Sequence, residues 1–201
     1  KTKSEDSGEK KIPKFDIDNF KQCFLDTDEF LKRERKILTM SPSLDLALGG
    51  GIPEGSSVIF TGAPKLGKTT ACLQLAANAQ KTGKKVYYLN IEGRIKPRDL
   101  IGISGLDLHP DAFEMISSTE GKILYAHDYL DLALHLIKTK KNIFIILDSV
   151  SQLCSEGRIG ESVGDRFRDD VPLMLASFTK QAANILPIHN NIVIVITHII
   201  A

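Results

Sequence analysis

Two short segments of the chain carry apolar residues on both faces of an extended strand. They read NIFIIL over Asn142–Leu147 and IVIVIT over Ile192–Thr197. Strands that are buried on both faces occur mainly in parallel sheets with helices packed against each side. The two segments therefore predict βαβ units built around a mainly parallel sheet.

The intervening sequence alternates between strand and helix patterns, as that arrangement requires. Short β-rich runs predict strands at Ser57–Thr61, Lys85–Ile91 and Phe113–Ile116. Apolar residues at helical spacing, or runs rich in Ala and Leu, predict helices at Thr69–Ala79, Asp128–Thr139 and Val171–Leu186. The predicted class is α/β, with a mainly parallel sheet flanked by helices and a small N-terminal segment.

Composition narrows the class of protein further. The chain has 201 residues, of which 42% are hydrophobic and 25% charged, and this suits one α/β domain with an additional segment. Global disorder, collagen and a disulfide scaffold are excluded by the composition. No apolar run approaches the roughly 20 residues that cross a bilayer, and the N-terminus shows no apolar signal-peptide core. The cysteines Cys23, Cys72 and Cys154 have no metal-binding spacing, and they favour reduced thiols in the cytoplasm. The net charge of +1 neither requires nor forbids a nucleic-acid partner.

The N-terminal part differs in character from the rest of the chain. Residues 1–11 are polar and charged and predict a disordered end or linker. Asp16–Lys36 fits a small helical module or a docking arm, and equally a helix that packs on its own domain. We predict an N-terminal segment over residues 1–40 and a core over residues 41–201. The chain begins with Lys rather than Met and stops after an apolar strand, so we expect it to be a fragment whose core lacks its C-terminal part.

The octapeptide GAPKLGKT at residues 62–69, here called the phosphate loop, matches the pattern G-x-x-x-x-G-K-[ST]. Its glycines let backbone N–H groups turn inward on phosphate oxygens, Lys68 reaches the outer phosphates, and the Thr69 hydroxyl can ligate Mg²⁺. The loop also lies between a predicted strand and a predicted helix, whose N-terminus favours the same anion. These features predict a nucleoside triphosphate site formed by Gly62, Ala63, Pro64, Lys65, Leu66, Gly67, Lys68, Thr69 and Thr70.

Three polar residues end predicted strands, where a parallel sheet gathers ligand-facing groups. Asp148 follows NIFIIL and predicts the second metal ligand, although a strand-capping Asp is the alternative. Glu92 ends KVYYLNIE and predicts the group that aligns an attacking water, although a solvated carboxylate is the alternative. His198 ends IVIVITH, and from the residues alone a structural and a functional role stay equally open.

The order of these parts resembles the RecA family of recombination ATPases. The resemblance runs from SPSLDLALGGGIPEG through the phosphate loop to LNIEG, ILDSV and VITH, and it covers about Ser41 to Ala201. SVSQLCSEGRIGESVGDRFRDD is similar to the stretch in which the family has a mobile loop that faces DNA. A histidine at position 198, where bacterial RecA has glutamine, is similar to the phage UvsX-like branch.

The resemblance implies a P-loop ATPase core of the RecA type that uses ATP and Mg²⁺. It implies catalytic roles for Glu92, Lys68 and His198, with His198 contacting the γ-phosphate, and metal ligation by Thr69 and Asp148. It also implies that Arg98, in the segment IEGRIKPRDL, lies near the adenine. The DNA-binding residues it implies are Arg158, Arg166, Phe167 and Arg168.

The implied activity is a DNA-dependent ATPase that forms filaments on single-stranded DNA and exchanges strands with a homologous duplex. Partners would then be single- and double-stranded DNA, further copies of the chain in a helical filament, and single-strand-binding or mediator proteins, with no membrane. The expected location is the cytoplasm, or the host cytoplasm or nucleoid if the protein is encoded by a phage. The alternatives are an ATP-switched recombination accessory protein without strand exchange, and a hexameric helicase-type motor with the same fold.

Departures from the family pattern limit what the resemblance implies. The second DNA loop should follow His198 and is missing, as are the closing strands of the core. The arginines of the first loop are opposed by Glu156, Glu161, Asp165, Asp169 and Asp170. The loop is therefore no basic patch, and an ordinary charged surface loop is the alternative. The lysine clusters Lys84–Lys85 and Lys138–Lys141 predict solvated helix ends.

Overall fold

The computed structural model describes residues 17–32, 35–159 and 170–199. The chain divides into two compact units, Lys1–Arg35 and Lys36–Ala201. This division lies slightly before the one expected after residue 40. The reason is a short antiparallel pair, in which strand β1 (Ile37–Leu38) bonds to strand β2 (Ile52–Pro53) and joins residue 37 to the second unit.

The described residues of the first unit, 17–32 and 35, contain two short helical segments. A 3-10 helix spans Ile17–Cys23, and helix α1 spans Thr27–Leu31. The Asp26 carboxylate caps α1 by accepting hydrogen bonds from the backbone N–H groups of Asp28 at 2.7 Å and Glu29 at 3.2 Å.

In the described part of the second unit, five parallel strands form one sheet in the order β3-β7-β6-β4-β5. The strands are β3 (Ser57–Gly62), β4 (Lys85–Asn90), β5 (Phe113–Ile116), β6 (Ile143–Asp148) and β7 (Ile192–His198). The register pairs Gly62 with His198 and Asn90 with Asp148. Four predicted strand ends therefore lie along one edge of the sheet.

Helices pack against both faces of this sheet. The helices that the structure describes in this unit are α2 (Pro42–Ala47), α3 (Lys68–Lys81), α4 (Pro97–Ile101), α5 (Ala126–Thr139), α6 (Glu156–Ile159) and α7 (Val171–His189), with a 3-10 turn at Val150–Gln152. One apolar core lies between the sheet and α5 and α7, and a second lies between the sheet and α3. The α/β class and the parallel sheet are confirmed.

The prediction that Lys84 is a solvated helix end is wrong. The Lys84 ammonium forms an ion pair with Glu54 at 2.7 Å, and the two side chains are only 1% and 7% exposed. It also donates to Asn142 Oδ1 at 2.7 Å and to the carbonyl oxygen of Asn190 at 2.8 Å. Three donors thus find three acceptors, which allows a charge to be buried at the start of β4.

Within residues 17–32, 35–159 and 170–199, no helix combines the length and apolar character that crossing a membrane requires.

Candidate nucleotide site

The phosphate loop connects β3 to α3 through backbone conformations that favour glycine. Gly67 immediately precedes α3 with a φ of +83°, in the left-handed region where other residues are strained. Helix α3 then begins at Lys68 and runs for 14 residues. Because the first N–H groups of a helix lack partners within it, this junction is suited to bind an anion.

The Lys68 side chain folds back over the loop. Its ammonium donates to the carbonyl oxygens of Gly62 at 2.8 Å and Ala63 at 2.9 Å. Both acceptors are neutral, so the positive charge at the centre of the loop is not cancelled by a carboxylate there. The Gly62 carbonyl oxygen also accepts the backbone N–H of Ile199 at 3.3 Å.

Asp148 is the buried carboxylate of the site. It ends β6 with 4% exposure, and its Oδ2 atom accepts hydrogen bonds from Thr69 Oγ1 at 2.7 Å and from the Tyr88 hydroxyl at 2.6 Å. Its Oδ1 atom is buried and has no hydrogen-bond partner among the described residues. One oxygen of the carboxylate therefore faces donors from the protein, and the other is left for a ligand.

Two neutral groups border this carboxylate. Burial, followed by the charge of Asp148, raises the pKa of the Tyr88 hydroxyl well above its usual range. The same two causes, in the same order, raise the pKa of the Cys72 thiol far above its usual range. Both groups thus stay protonated.

The residues at this point fit a magnesium ion. A hydroxyl and a carboxylate are oxygen donors of the kind that Mg²⁺ prefers, and the unpaired Asp148 Oδ1 supplies a free lone pair. No group of three or more His, Cys, Asp or Glu side chains suited to a metal occurs in the part of the chain that the structure covers. This agrees with a cation held by few protein ligands together with phosphate and water, as is usual for Mg²⁺.

Glu92 lies beside the end of β6, which carries Asp148. Backbone N–H groups of Ile91 and Glu92 donate to the Asp148 carbonyl oxygen at 2.8 and 2.9 Å, which ties the end of β4 to the end of β6. The Glu92 carboxylate meets Arg94 Nη1 at 3.0 Å and His198 Nε2 at 3.5 Å. Glu92 and His198 are 19% and 18% exposed, so both remain within reach of a substrate and a water molecule.

His198 is held by its backbone as well as by Glu92. Its N–H donates to Ser151 Oγ at 2.8 Å, and Ser151 Oγ lies 3.0 Å from Thr197 Oγ1. Ser151 belongs to the 3-10 turn that follows β6. The end of β7 is thereby joined to the start of the segment in which the first DNA loop was predicted.

A cavity of about 400 Å³ opens next to these groups. Its lining includes Thr69, Thr70, Tyr88, Glu92, Arg98 and Asp148. The predicted adenine contact, Arg98, lies in α4 with 79% of its side chain exposed and a 3.7 Å contact to Asp99. The structure thus brings Thr69, Asp148, Glu92 and His198 together. It places Arg98 at the cavity with a largely exposed side chain.

The predicted DNA-binding residues are not placed by the structure. Arg166, Phe167 and Arg168 lie outside the described residues. Arg158 lies within α6, but its side chain is also outside the described part. Their role therefore stays a prediction.

Sequence reasoning missed Tyr88, Arg94 and Ser151. Tyr88 occurs in an apolar strand, where an aromatic residue indicates a core position. Strand alternation could have found it, because positions 88 and 90 share a face and lead towards Glu92. Nothing in the sequence indicates the hydrogen bond of Ser151 to the backbone of residue 198.

The chain is similar to two kinds of curated bacterial protein. Residues 24–201 match the family model of the RecA N-terminal domain. Protein RecA of Chlamydia abortus is 36% identical over 132 residues, which are 64% of this chain and 35% of that protein. DNA repair protein RadA of Listeria monocytogenes is 32% identical over 121 residues, which are 58% of this chain and 23% of that protein. The aligned part therefore spans about a quarter to a third of these relatives.

Proposed function

The chain belongs to the RecA family, and on that premise we propose that it is a DNA-dependent ATPase of recombination and repair. It forms ATP-bound filaments on single-stranded DNA and pairs that strand with a homologous duplex. The observation that carries the proposal is the convergence at one sheet edge of a phosphate loop, the Thr69–Asp148 hydrogen bond of 2.7 Å and the Glu92–His198 contact of 3.5 Å.

Nucleotide binding begins at the phosphate loop. The triphosphate lies against the N-terminus of α3, and the Lys68 ammonium exchanges the carbonyl oxygens of Gly62 and Ala63 for phosphate oxygens. Charged acceptors form stronger hydrogen bonds than neutral ones, so this exchange favours the bound state. Thr69 and Asp148 would hold Mg²⁺, and the ion would supply positive charge beside the transferred phosphoryl group.

Hydrolysis depends on Glu92. Its carboxylate accepts a hydrogen bond from a water molecule and aligns the oxygen of that water with the γ-phosphorus. The water oxygen bonds to the γ-phosphorus as the bond between the γ-phosphorus and the bridging oxygen breaks. The proton of the water ends on the inorganic phosphate that forms, and ADP and phosphate leave. Because phosphoryl transfer requires little covalent chemistry from the protein, positioning and charge neutralisation account for the rate.

His198 senses whether the γ-phosphate is present. While ATP is bound, its imidazole contacts the γ-phosphate, and this contact orders the DNA-binding segments that precede and follow it. Arg158, Arg166, Phe167 and Arg168 contact the strand. Loss of the γ-phosphate removes the contact and lowers the affinity for DNA.

The proposal is tested with the full-length protein by measuring binding to single-stranded DNA at several salt concentrations, with ATP, with ADP and without nucleotide. We expect binding that requires ATP, ATP hydrolysis stimulated by DNA, and helical filaments in electron micrographs. DNA binding that is the same in all three nucleotide states, or closed rings in the micrographs, contradicts it.

A second candidate is an ATP-switched accessory protein that does not exchange strands. The observation in its favour is the charge of the first loop, where Arg158, Arg166 and Arg168 are outnumbered by nearby carboxylates. A strand-exchange assay with a homologous duplex separates the two candidates. Filaments that form but yield no exchanged product favour the accessory role.

A further inference from the structure

We propose that Tyr88 is a positioning residue for the divalent cation. Its hydroxyl holds Asp148 Oδ2, so that Oδ1 is presented to the metal ion. The inference rests on the proposed function, because it concerns the same nucleotide site, but it assigns a role to a side chain that acts on the metal through Asp148.

The position of the Tyr88 ring is fixed by its strand and its core. Tyr88 lies in β4, which pairs with β6 in the register that sets Asn90 opposite Asp148. The residue is 1% exposed, and its ring stacks on Phe113 with centroids 6.3 Å apart and planes inclined by 22°. A tyrosine buried in this way has an apolar body held by packing and a hydroxyl that needs a partner. Here that partner is Asp148 Oδ2, at 2.6 Å.

The two oxygen atoms of the Asp148 carboxylate have different surroundings. An ionised carboxylate oxygen offers about two lone-pair sites, and Thr69 and Tyr88 supply one donor each to Oδ2. The other oxygen, Oδ1, is buried with no partner among residues that the structure describes. A buried carboxylate oxygen without a partner is costly, so the arrangement favours a cation or its bound water at Oδ1.

Thr69 alone cannot fix this orientation. Its hydroxyl is itself a predicted ligand of the cation, and a threonine hydroxyl hydrogen rotates to suit its surroundings. The Tyr88 hydroxyl, by contrast, is attached to a ring that neighbouring side chains hold in place. Removing a partner that orients a metal ligand typically lowers metal affinity or activity by about 10- to 100-fold.

The test compares Tyr88→Phe with Tyr87→Phe in the full-length protein. Tyr87 precedes Tyr88 on the same strand, but its side chain packs in the core on the opposite face, with α5 and α7. Binding of a fluorescent, non-hydrolysable ATP analogue is measured in EDTA and across a Mg²⁺ titration. For Tyr88→Phe we expect unchanged affinity in EDTA and a half-saturating Mg²⁺ concentration about 10-fold higher. For Tyr87→Phe we expect both values to match the wild type.

The outcomes separate this inference from the proposed function. If the wild type binds the analogue with Mg²⁺ and Tyr88→Phe requires no more Mg²⁺, the positioning role is wrong and the nucleotide site stands. If Tyr88→Phe loses affinity equally in EDTA and in Mg²⁺, Tyr88 is merely structural and the inference is again overturned. If the wild-type protein binds no analogue even with Mg²⁺, the proposed function is wrong, and the inference that rests on it is overturned with it.

A second measurement does not depend on the folding of Tyr88→Phe. The 201 residues contain four tyrosines, so this 201-residue chain labelled with ¹³C at the tyrosine Cζ gives four signals. The signal that persists in each of Tyr87→Phe, Tyr125→Phe and Tyr129→Phe belongs to Tyr88. We expect it to shift when Mg²⁺ is added to the nucleotide complex, and an unmoved signal overturns the inference.

Discussion

The Glu92 carboxylate lies 3.5 Å from His198 Nε2, although their strands are not neighbours. Glu92 follows β4 and His198 ends β7, and β6 lies between these two strands in the sheet. The contact thus joins the two sides of the strand that carries Asp148. The group proposed to align water and the group proposed to contact the γ-phosphate thus lie next to each other.

Glu92→Gln should separate nucleotide binding from hydrolysis. The amide keeps the shape of the carboxylate but is a poor acceptor for the proton of an attacking water. We expect a fall in kcat of about 100-fold or more, with ATP affinity nearly unchanged and the DNA complex trapped. Phosphate release and DNA dissociation measure these effects, and Glu120→Gln, at an exposed position, is the control. Rapid release of DNA by Glu92→Gln in ATP would contradict the coupling.

Lys68→Ala should abolish turnover and leave the fold intact. The variant loses the ammonium that now donates to Gly62 and Ala63 and that is expected to move to the phosphates. Hydrogen bonds to charged groups contribute about 1.5–3 kcal/mol, and we expect ATP binding to weaken by that amount. Calorimetry with ATP and Mg²⁺ measures the loss, and Lys122→Ala, at an exposed position, should behave as the wild type. Full ATPase activity in Lys68→Ala would mean that the site is assigned wrongly.

Lys84→Met should strongly destabilise the fold. The substitution leaves the Glu54 carboxylate buried without its cation, and breaking a buried pair on one side costs about 3–5 kcal/mol. Denaturant unfolding should show this loss, whereas Lys141→Met, at an exposed position, should change stability by less than about 0.5 kcal/mol. Recovery of stability in the double variant Lys84→Met with Glu54→Leu would identify the unpaired charge as the cause. An unchanged unfolding midpoint for Lys84→Met alone would show that the pair is not a major contribution.

Cys72 should resist thiol reagents in the folded protein, even above the usual thiol pKa of about 8.5. Burial and then the charge of Asp148 raise its pKa, so the reactive thiolate is disfavoured across the ordinary range of pH. A chromogenic disulfide reagent should modify the exposed Cys23 in the native protein and reach Cys72 only after unfolding. Cys72→Ala should therefore lose one reactive thiol in denaturant and none in the native state. Rapid native modification that this variant lacks would contradict the assigned environment.

Much of the fold is predictable from short segments in which the pattern of apolar residues indicates by itself whether the segment is buried. The apolar runs NIFIIL and IVIVIT predict strands that are buried on both faces. Asp148 follows the first run and His198 follows the second, so the sequence predicts both side chains at one edge of the sheet. Glu92 was placed in the same way. The distances between these side chains were not predictable, because they depend on which strands are neighbours and in what register.

The polar contacts of Tyr88 and Lys84 were not predicted from the sequence. Tyr88 resembles any core aromatic until β4 is paired with β6, and then its hydroxyl meets Asp148. Lys84 resembles a solvated lysine until Glu54, Asn142 and Asn190 are brought around it from distant parts of the chain. Local sequence cannot indicate burial when the acceptors that permit it come from other elements.

The Gly62 carbonyl oxygen accepts hydrogen bonds from two donors, a side chain of the phosphate loop and the main chain after β7. It accepts the Lys68 ammonium at 2.8 Å and the backbone N–H of Ile199, the first residue after β7, at 3.3 Å. If Lys68 moves to a phosphate, as proposed, the carbonyl oxygen would keep the N–H of Ile199 and lose the stronger, charged donor. Anion binding in the phosphate loop would thereby change the surroundings of a main-chain hydrogen bond one residue beyond His198.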